Sequence, residues 1–233
     1  MIYHQKFFGY TLFNINNTAE AKPTKNGSND IIPRKISGTE FNQKLRITRR
    51  NVEDTSHFLA EGVSEFALPG FVLPNGYRLV KSREKDQYRL IAEGEKPETV
   101  YLVELRFRRD IVIGKTTCTQ VKVWRTFAPN YKMTIKDLPE RFFIYLLNTY
   151  NIMVTDEEQT EDGQRFWENM INWAFFNHYF VYASNGEEER PLARIANMED
   201  FYLNWMDVYW GKDKDNHPHR LVVISQSPLN QSK

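Results

Sequence analysis

The chain has 233 residues, enough to bury a substantial core as one large domain or two small ones. Its 31 Lys and Arg against 30 Asp and Glu leave a formal charge of +1, which argues against general coating of nucleic acid while a local basic patch stays open. The single cysteine, Cys118, excludes an internal disulfide framework and a multi-cysteine zinc site, and no run of about 18 apolar residues is present to cross a membrane.

The stretch Met1 to Tyr10 has neither a basic start nor a long apolar run, so no signal peptide is expected and the protein is expected to be cytoplasmic. Residues 6–14 predict a first strand. Asn16 to Lys35, rich in Asn, Thr, Lys, Ser and Pro around N-G-S-N-D, predicts a long mobile loop with little to bury. A mixed, weakly helical pattern covers 39–60, and L-P-G-F-V-L-P-N-G-Y (68–77) makes a rigid irregular connection.

From Tyr77 the pattern turns β. Y-R-L-V-K-S-R and Q-Y-R-L-I-A-E flank R-E-K-D as a hairpin. In T-V-Y-L-V-E-L-R-F-R-R the apolar parity slips between Leu102 and Leu105, where a bulge is expected. In T-Q-V-K-V-W-R-T-F, Val121 and Val123 share one face, Lys122 and Trp124 the other. Four antiparallel strands over 77–127 follow, with Cys118 as strand filler rather than nucleophile.

The period then becomes helical. Asp137, Pro139 and Glu140 predict a capped start with a capping box, and Leu138, Phe142, Tyr145, Leu146 and Thr149 share one face. A strand is expected at 152–154, and then a helix capped by Thr160 or Asp162. That helix carries a buried stripe of Phe166, Trp167, Met170, Ile171 and Ala174. H-Y-F-V-Y-A-S predicts another strand, N-G-E-E-E-R-P a solvated loop, and 198–210 a helix between an Asn197 cap and a Gly211 stop. K-D-K-D-N-H-P-H is a charged loop, R-L-V-V-I-S a closing strand, and S-P-L-N-Q-S-K a frayed tail.

These elements predict one α/β (α+β) domain over 1–233, with a mixed, mainly antiparallel central sheet flanked by helices. Residues 1–70 supply the N-terminal strand, loop and irregular region, 77–184 the core, and 185–233 the C-terminal helix and closing strand.

Antiparallel strands followed by helix–strand–helix–strand and a closing strand resemble the GNAT (acetyltransferase-like) fold. The segment N-I-M-V-T-D-E-E-Q-T-E-D-G-Q-R-F-W is similar to a pattern in GNAT-like proteins of phages and other mobile elements. There a strand ending in Ser/Thr-Asp precedes a small-residue turn and a Trp-bearing helix, as Thr155-Asp156, Thr160, Gly163 and Trp167 do here. The resemblance implies an acyltransferase-like protein using acetyl-CoA or another acyl-CoA, or a non-catalytic descendant. Its cleft would lie between 119–127 and 152–155. Lys122, Arg125 and Lys132 would meet phosphates, and Asp156 would orient or deprotonate an amine. The family's Arg/Gln-x-x-Gly-x-Gly/Ala pyrophosphate loop is missing: F-A-P-N-Y-K-M-T-I-K-D-L-P-E-R (127–141) holds no glycine, and Pro129 and Pro139 remove two N–H donors. Lys132 and Lys136 could stand in only as point charges.

Other constellations keep further readings open. The acidic turn Asp156, Glu157, Glu158, Glu161 and Asp162 complements a helix start, forms a site at Asp156, or binds Mg²⁺. Arg106, Arg108, Arg109, Lys115, Lys122 and Arg125 make a basic hairpin, either a solvated sheet face or a nucleic-acid groove with Trp124 for stacking. Glu104, Gln120 and Lys122 loosely resemble a metal-dependent nuclease site. His217 and His219 read as a solvated loop, and His178 as a helix end. The Trp/Tyr stripe at 201–210 is core or an oligomer contact, so a non-enzymatic scaffold binding a protein partner or its own copy through 198–210 is the alternative function. No membrane contact is expected, and neither a Ser-His-Asp, zinc-protease nor P-loop motif occurs.

Overall fold

A computed structural model describes residues 34–35, 43–108, 117–153, 158–159, 161–185, 192–206 and 220–229. The strand expected at 6–14, Asp156, Gly211, His217 and His219 lie outside the described residues. The chain is of mixed α/β class, and among the described residues nine strands form one sheet.

In chain order the elements are β1 (Arg34–Lys35), α1 (Gln43–Arg46), α2 (Thr48–Ala60), β2 (Val63–Glu65), β3 (Tyr77–Ser82), β4 (Gln87–Ala92), β5 (Glu98–Arg108) and β6 (Thr117–Arg125). A 3₁₀ turn (Pro129–Tyr131) leads to α3 (Lys132–Ile135), α4 (Leu138–Thr149), β7 (Asn151–Met153), β8 (Glu158–Gln159) and α5 (Glu161–Phe176). Then come β9 (Phe180–Asn185), β10 (Ala193–Ile195), α6 (Met198–Asp200, continuing as a π turn over Phe201–Trp205) and β11 (Arg220–Ser225).

The large sheet has the order β10-β9-β11-β7-β6-β5-β4-β3-β2. β2 to β6 form an antiparallel meander. At the β3–β4 turn the Ser82 hydroxyl accepts from the Glu84 and Lys85 amides at 3.2 and 3.1 Å, which fixes the reversal. α4 then carries the chain over to β7, which joins β6 in parallel through Thr117–Asn151 and Cys118–Ile152. β11 inserts between β7 and β9, antiparallel to both. Its apolar run L-V-V-I needs two buried faces: Val222 and Ile224 enter the main core, and Val223 packs with Tyr182 on the other side.

Helices cover both faces of the meander. Leu138, Phe142, Leu146, Trp167 and Ile171 of α4 and α5 pack on Leu90, Tyr101, Val103 and Leu105. On the opposite face Leu45 of α1 meets Leu102 and Trp124, while Phe58 of α2 meets Val80 and Ile91. This two-sided burial accounts for the apolar slip between Leu102 and Leu105, where no bulge exists: Leu102 and Leu105 serve different faces. The register shifts instead between Leu90 and Ile91 on β4, where β5 carries the extra residue Val100, and between Arg106 and Phe107 on the β6 side.

Several local expectations hold and several change. Asn197 caps α6, its side chain accepting from the Asp200 amide at 2.9 Å. His178 sits at φ 61° in the left-handed turn that ends α5. Asp137 occupies the N-cap position of α4 but makes no side-chain cap hydrogen bond, so the capping box does not form. Thr149 is exposed, and Phe143 and Leu147 take the buried positions beside Phe142 and Leu146. β10 is a strand between the expected loop N-G-E-E-E-R-P and the Asn197 cap, where no element was expected, and it pairs with β9. The end of the expected mobile loop, Arg34–Lys35, pairs in parallel with Glu158–Gln159 of the acidic turn.

Candidate functional site

The β-bulge on β5 creates a local need. An extra residue disrupts the ladder and leaves backbone groups without strand partners. Thr99, at the bulge, is fully buried. Its N–H donates to Asn51 Oδ1 and to Thr55 Oγ1, both at 2.9 Å, and its carbonyl accepts from Asn51 Nδ2 at 2.9 Å. The Thr55 and Thr99 hydroxyls lie 2.8 Å apart, and Asn51 Nδ2 also donates to the Leu45 carbonyl at 3.0 Å. The i, i+4 spacing of Asn51 and Thr55 puts both on one side of α2, where they act as the missing partner of β5. The helix is thereby pinned to the sheet at a fixed position.

That pin sets one wall of a polar cavity of about 620 Å³, whose lining includes Lys44, Asp54, His57, Arg89, Glu104 and Arg106. Its floor is the α2-facing side of β4 and β5. A row of side chains crosses it. Asp54 Oδ2 accepts from Arg89 Nη1 at 2.7 Å, Arg89 Nε donates to Gln87 Oε1 at 2.9 Å, and Gln87 Nε2 donates to Glu104 Oε2 at 2.7 Å. The Arg89 guanidinium also lies 4.0 Å from the centre of the Phe58 ring and reaches Thr99 Oγ1 at 3.3 Å. It is only 5% exposed, and burial lowers its pKa, partly offset by Asp54. Burial by itself would raise the Asp54 carboxyl, but hydrogen bonds from Lys44 and Arg89 outweigh it and hold the group below its ordinary value. Four groups are therefore locked to one another by charge-assisted bonds in a partly dry setting.

The sequence reading passed over Asn51, Asp54, Thr55, Gln87 and Arg89. A signal was present in Gln87-x-Arg89, two polar residues on one face of a strand whose neighbours Leu90 and Ile91 are apolar.

The residues the sequence singled out fall elsewhere or are dispersed. Lys122 lies opposite Glu104 on the α2-facing side, beside the cavity. Arg125, three residues on, projects to the other face, near enough to Tyr101 for its charge to act on the phenol. Lys132 is exposed on α3, directly after Tyr131, whose ring meets Tyr77 of β3 edge-on at 6.3 Å. β3 is three positions from β6 in the sheet. Of the three cations expected to share a phosphate, Lys122 and Arg125 thus face opposite sides of the sheet, and Lys132 lies on α3. Trp124 is 3% exposed between Leu45 and Leu102, so it is core and presents no stacking platform. Glu104 and Lys122 do face each other, and Gln120 pairs in register with Arg106, yet among the described residues no three His, Cys, Asp or Glu side chains converge to hold a metal. The Trp/Tyr stripe divides: Phe201 is buried in the core, while Tyr202 and Leu203 are 47% and 75% exposed.

No protein-family model, curated protein or solved structure matches the chain at a significant level.

Proposed function

We propose that the protein is a GNAT-like scaffold that acts by binding, a non-catalytic relative of acyl-CoA enzymes, with its ligand site in the cavity between α2 and the sheet. The resemblance is supported by the order of elements: an antiparallel meander, then helix, parallel strand, helix, strand and a closing strand.

The observation that carries the non-catalytic reading is the connection from β6 to α4. Pyrophosphate binding at a helix N-terminus needs several exposed N–H groups and a favourable local charge. Here Pro139 removes one donor from the first turn of α4, and Asp137 and Glu140 place carboxylates at that same end. Pro129 opens the preceding 3₁₀ turn, and Lys122 and Arg125 point to opposite faces of β6. These residues do not suit a pyrophosphate.

The test is turnover. Purified protein incubated with acetyl-CoA and a panel of primary amines should release no CoA thiol above the uncatalysed rate. Thiol release that Lys122→Ala or Asp156→Asn abolishes would overturn the proposal and reinstate an acyltransferase acting through those two residues.

A further inference from the structure

The hydrogen-bonded row in the cavity is asymmetric in both charge and bonding. At one end, Asp54 is the single carboxylate shared by two cations, Lys44 and Arg89, so one positive charge is left over. At the other end Glu104 accepts only from a neutral amide, that of Gln87, and has no ion pair among the described residues. The bonding is equally incomplete. Arg89 uses Nε and Nη1 within the row, and among the described residues its Nη2 makes no hydrogen bond. Glu104 uses Oε2, and among the described residues its Oε1 accepts none. Gln87 bridges the two by donating to Glu104 and accepting from Arg89, so the guanidinium and the carboxylate are tied to one side chain on the same cavity wall. A guanidinium held by three side-chain oxygens and an aromatic ring loses little entropy when it takes one more partner.

The geometry points to a site for a small zwitterion, with a carboxylate on Arg89 Nη2 and an ammonium on Glu104 Oε1, of which a free α-amino acid is the simplest member. Lys44, 55% exposed at its side chain, adds long-range attraction at the carboxylate end. Lys122, opposite Glu104, and Arg106, on the cavity wall, also stand at the Glu104 end, so an ammonium there must hydrogen-bond Glu104 directly to offset their repulsion. A simple anion would satisfy only the Arg89 end and would meet Glu104 as a like charge, and a simple cation has the reverse difficulty. A zwitterion satisfies both without adding net charge to the site.

This inference rests on the binding reading above and gives it a ligand class. The experiment is a calorimetric titration of the full chain with each common α-amino acid, with the N-acetyl and methyl-ester forms of the tightest as controls. At least one amino acid should bind saturably, and blocking either its amine or its carboxylate should abolish the heat. Glu104→Gln keeps an acceptor for Gln87 and removes the charge, so it should fold normally by circular dichroism and weaken binding about tenfold or more, the scale of one charged hydrogen bond. Lys44→Ala should weaken binding less. No saturable heat with any amino acid at millimolar concentration, or equal affinity in Glu104→Gln or for the N-acetyl form, would overturn the inference. CoA thiol release together with amino-acid binding would overturn only the non-catalytic reading, and neither signal would overturn only this one.

Discussion

Asn51→Ala tests whether α2 is held to the sheet by the bulge, as the geometry of the cavity requires. The Asn51 side chain takes part in four hydrogen bonds: to the Leu45 and Thr99 carbonyls, from the Thr99 N–H and from the Thr55 hydroxyl. In the variant the Thr99 N–H keeps Thr55 Oγ1, and the Thr55 hydroxyl keeps that of Thr99. The Leu45 and Thr99 carbonyls lose the amide donor. Each buried group left without a partner costs about 1–3 kcal/mol, and alanine recovers about 0.6 kcal/mol through its better helix propensity. The net expectation is a loss of roughly 3 kcal/mol, or about 6–12 °C in Tm for a chain of this size. Urea unfolding followed by tryptophan fluorescence reads the global loss. Amide exchange at Thr99 reads the local one, and it should accelerate in Asn51→Ala and further in Asn51→Ala/Thr55→Val. A loss under about 1 kcal/mol, with Thr99 still protected in the double variant, would refute the pinning of α2.

Asp54→Ala should cost about 3 kcal/mol, because it leaves the Arg89 guanidinium buried without its carboxylate; Asp54→Ala/Arg89→Met should recover part of that, and the same unfolding assay checks both. The Asp54 carboxyl is held below its ordinary value by its bonds to Lys44 and Arg89, so its contribution to stability is full above the ordinary carboxylate range and is lost as acid carries the solution down through the folded value. Stability should therefore fall at low pH, and the fall should be shallower in Asp54→Asn. Gly70 has φ +72°, and a Cβ there would lie 2.7 Å from an Arg141 guanidinium nitrogen, so Gly70→Ala should destabilise by about 1–2 kcal/mol, less if Arg141 swings aside. Ile171→Ala opens a cavity in the fully buried core under α5 and should cost about 2–5 kcal/mol.

Much of the sheet was legible because its strands obey period-two rules with clear punctuation. The β3–β4 hairpin, the strand read at 119–127 and found at Thr117–Arg125, the α5 stripe of Trp167, Ile171 and Ala174 and the Asn197 cap all follow from local spacing. What local spacing cannot supply is the second covered face. Leu102 looked like an irregularity only because α1, far earlier in the chain, was not seen to bury it against Trp124. The same holds for the site. Asn51 and Thr55 look like ordinary polar positions on an exposed helix until the β5 bulge gives them backbone groups to serve. Arg89 is conspicuous in its strand, but its partners Asp54 and Phe58 lie more than thirty residues away. The phosphate-binding trio illustrates the converse. Lys122 and Arg125 look adjacent in sequence, yet a spacing of three on a strand sends them to opposite faces.

The non-catalytic reading is tested most directly by calorimetric titration of the full chain with CoA and acetyl-CoA, alongside Lys122→Ala/Arg125→Ala. The account predicts no heat of binding for either ligand up to millimolar concentration in both proteins. Micromolar binding that disappears in the double variant would contradict it, and would place a nucleotide cofactor on strand β6 after all.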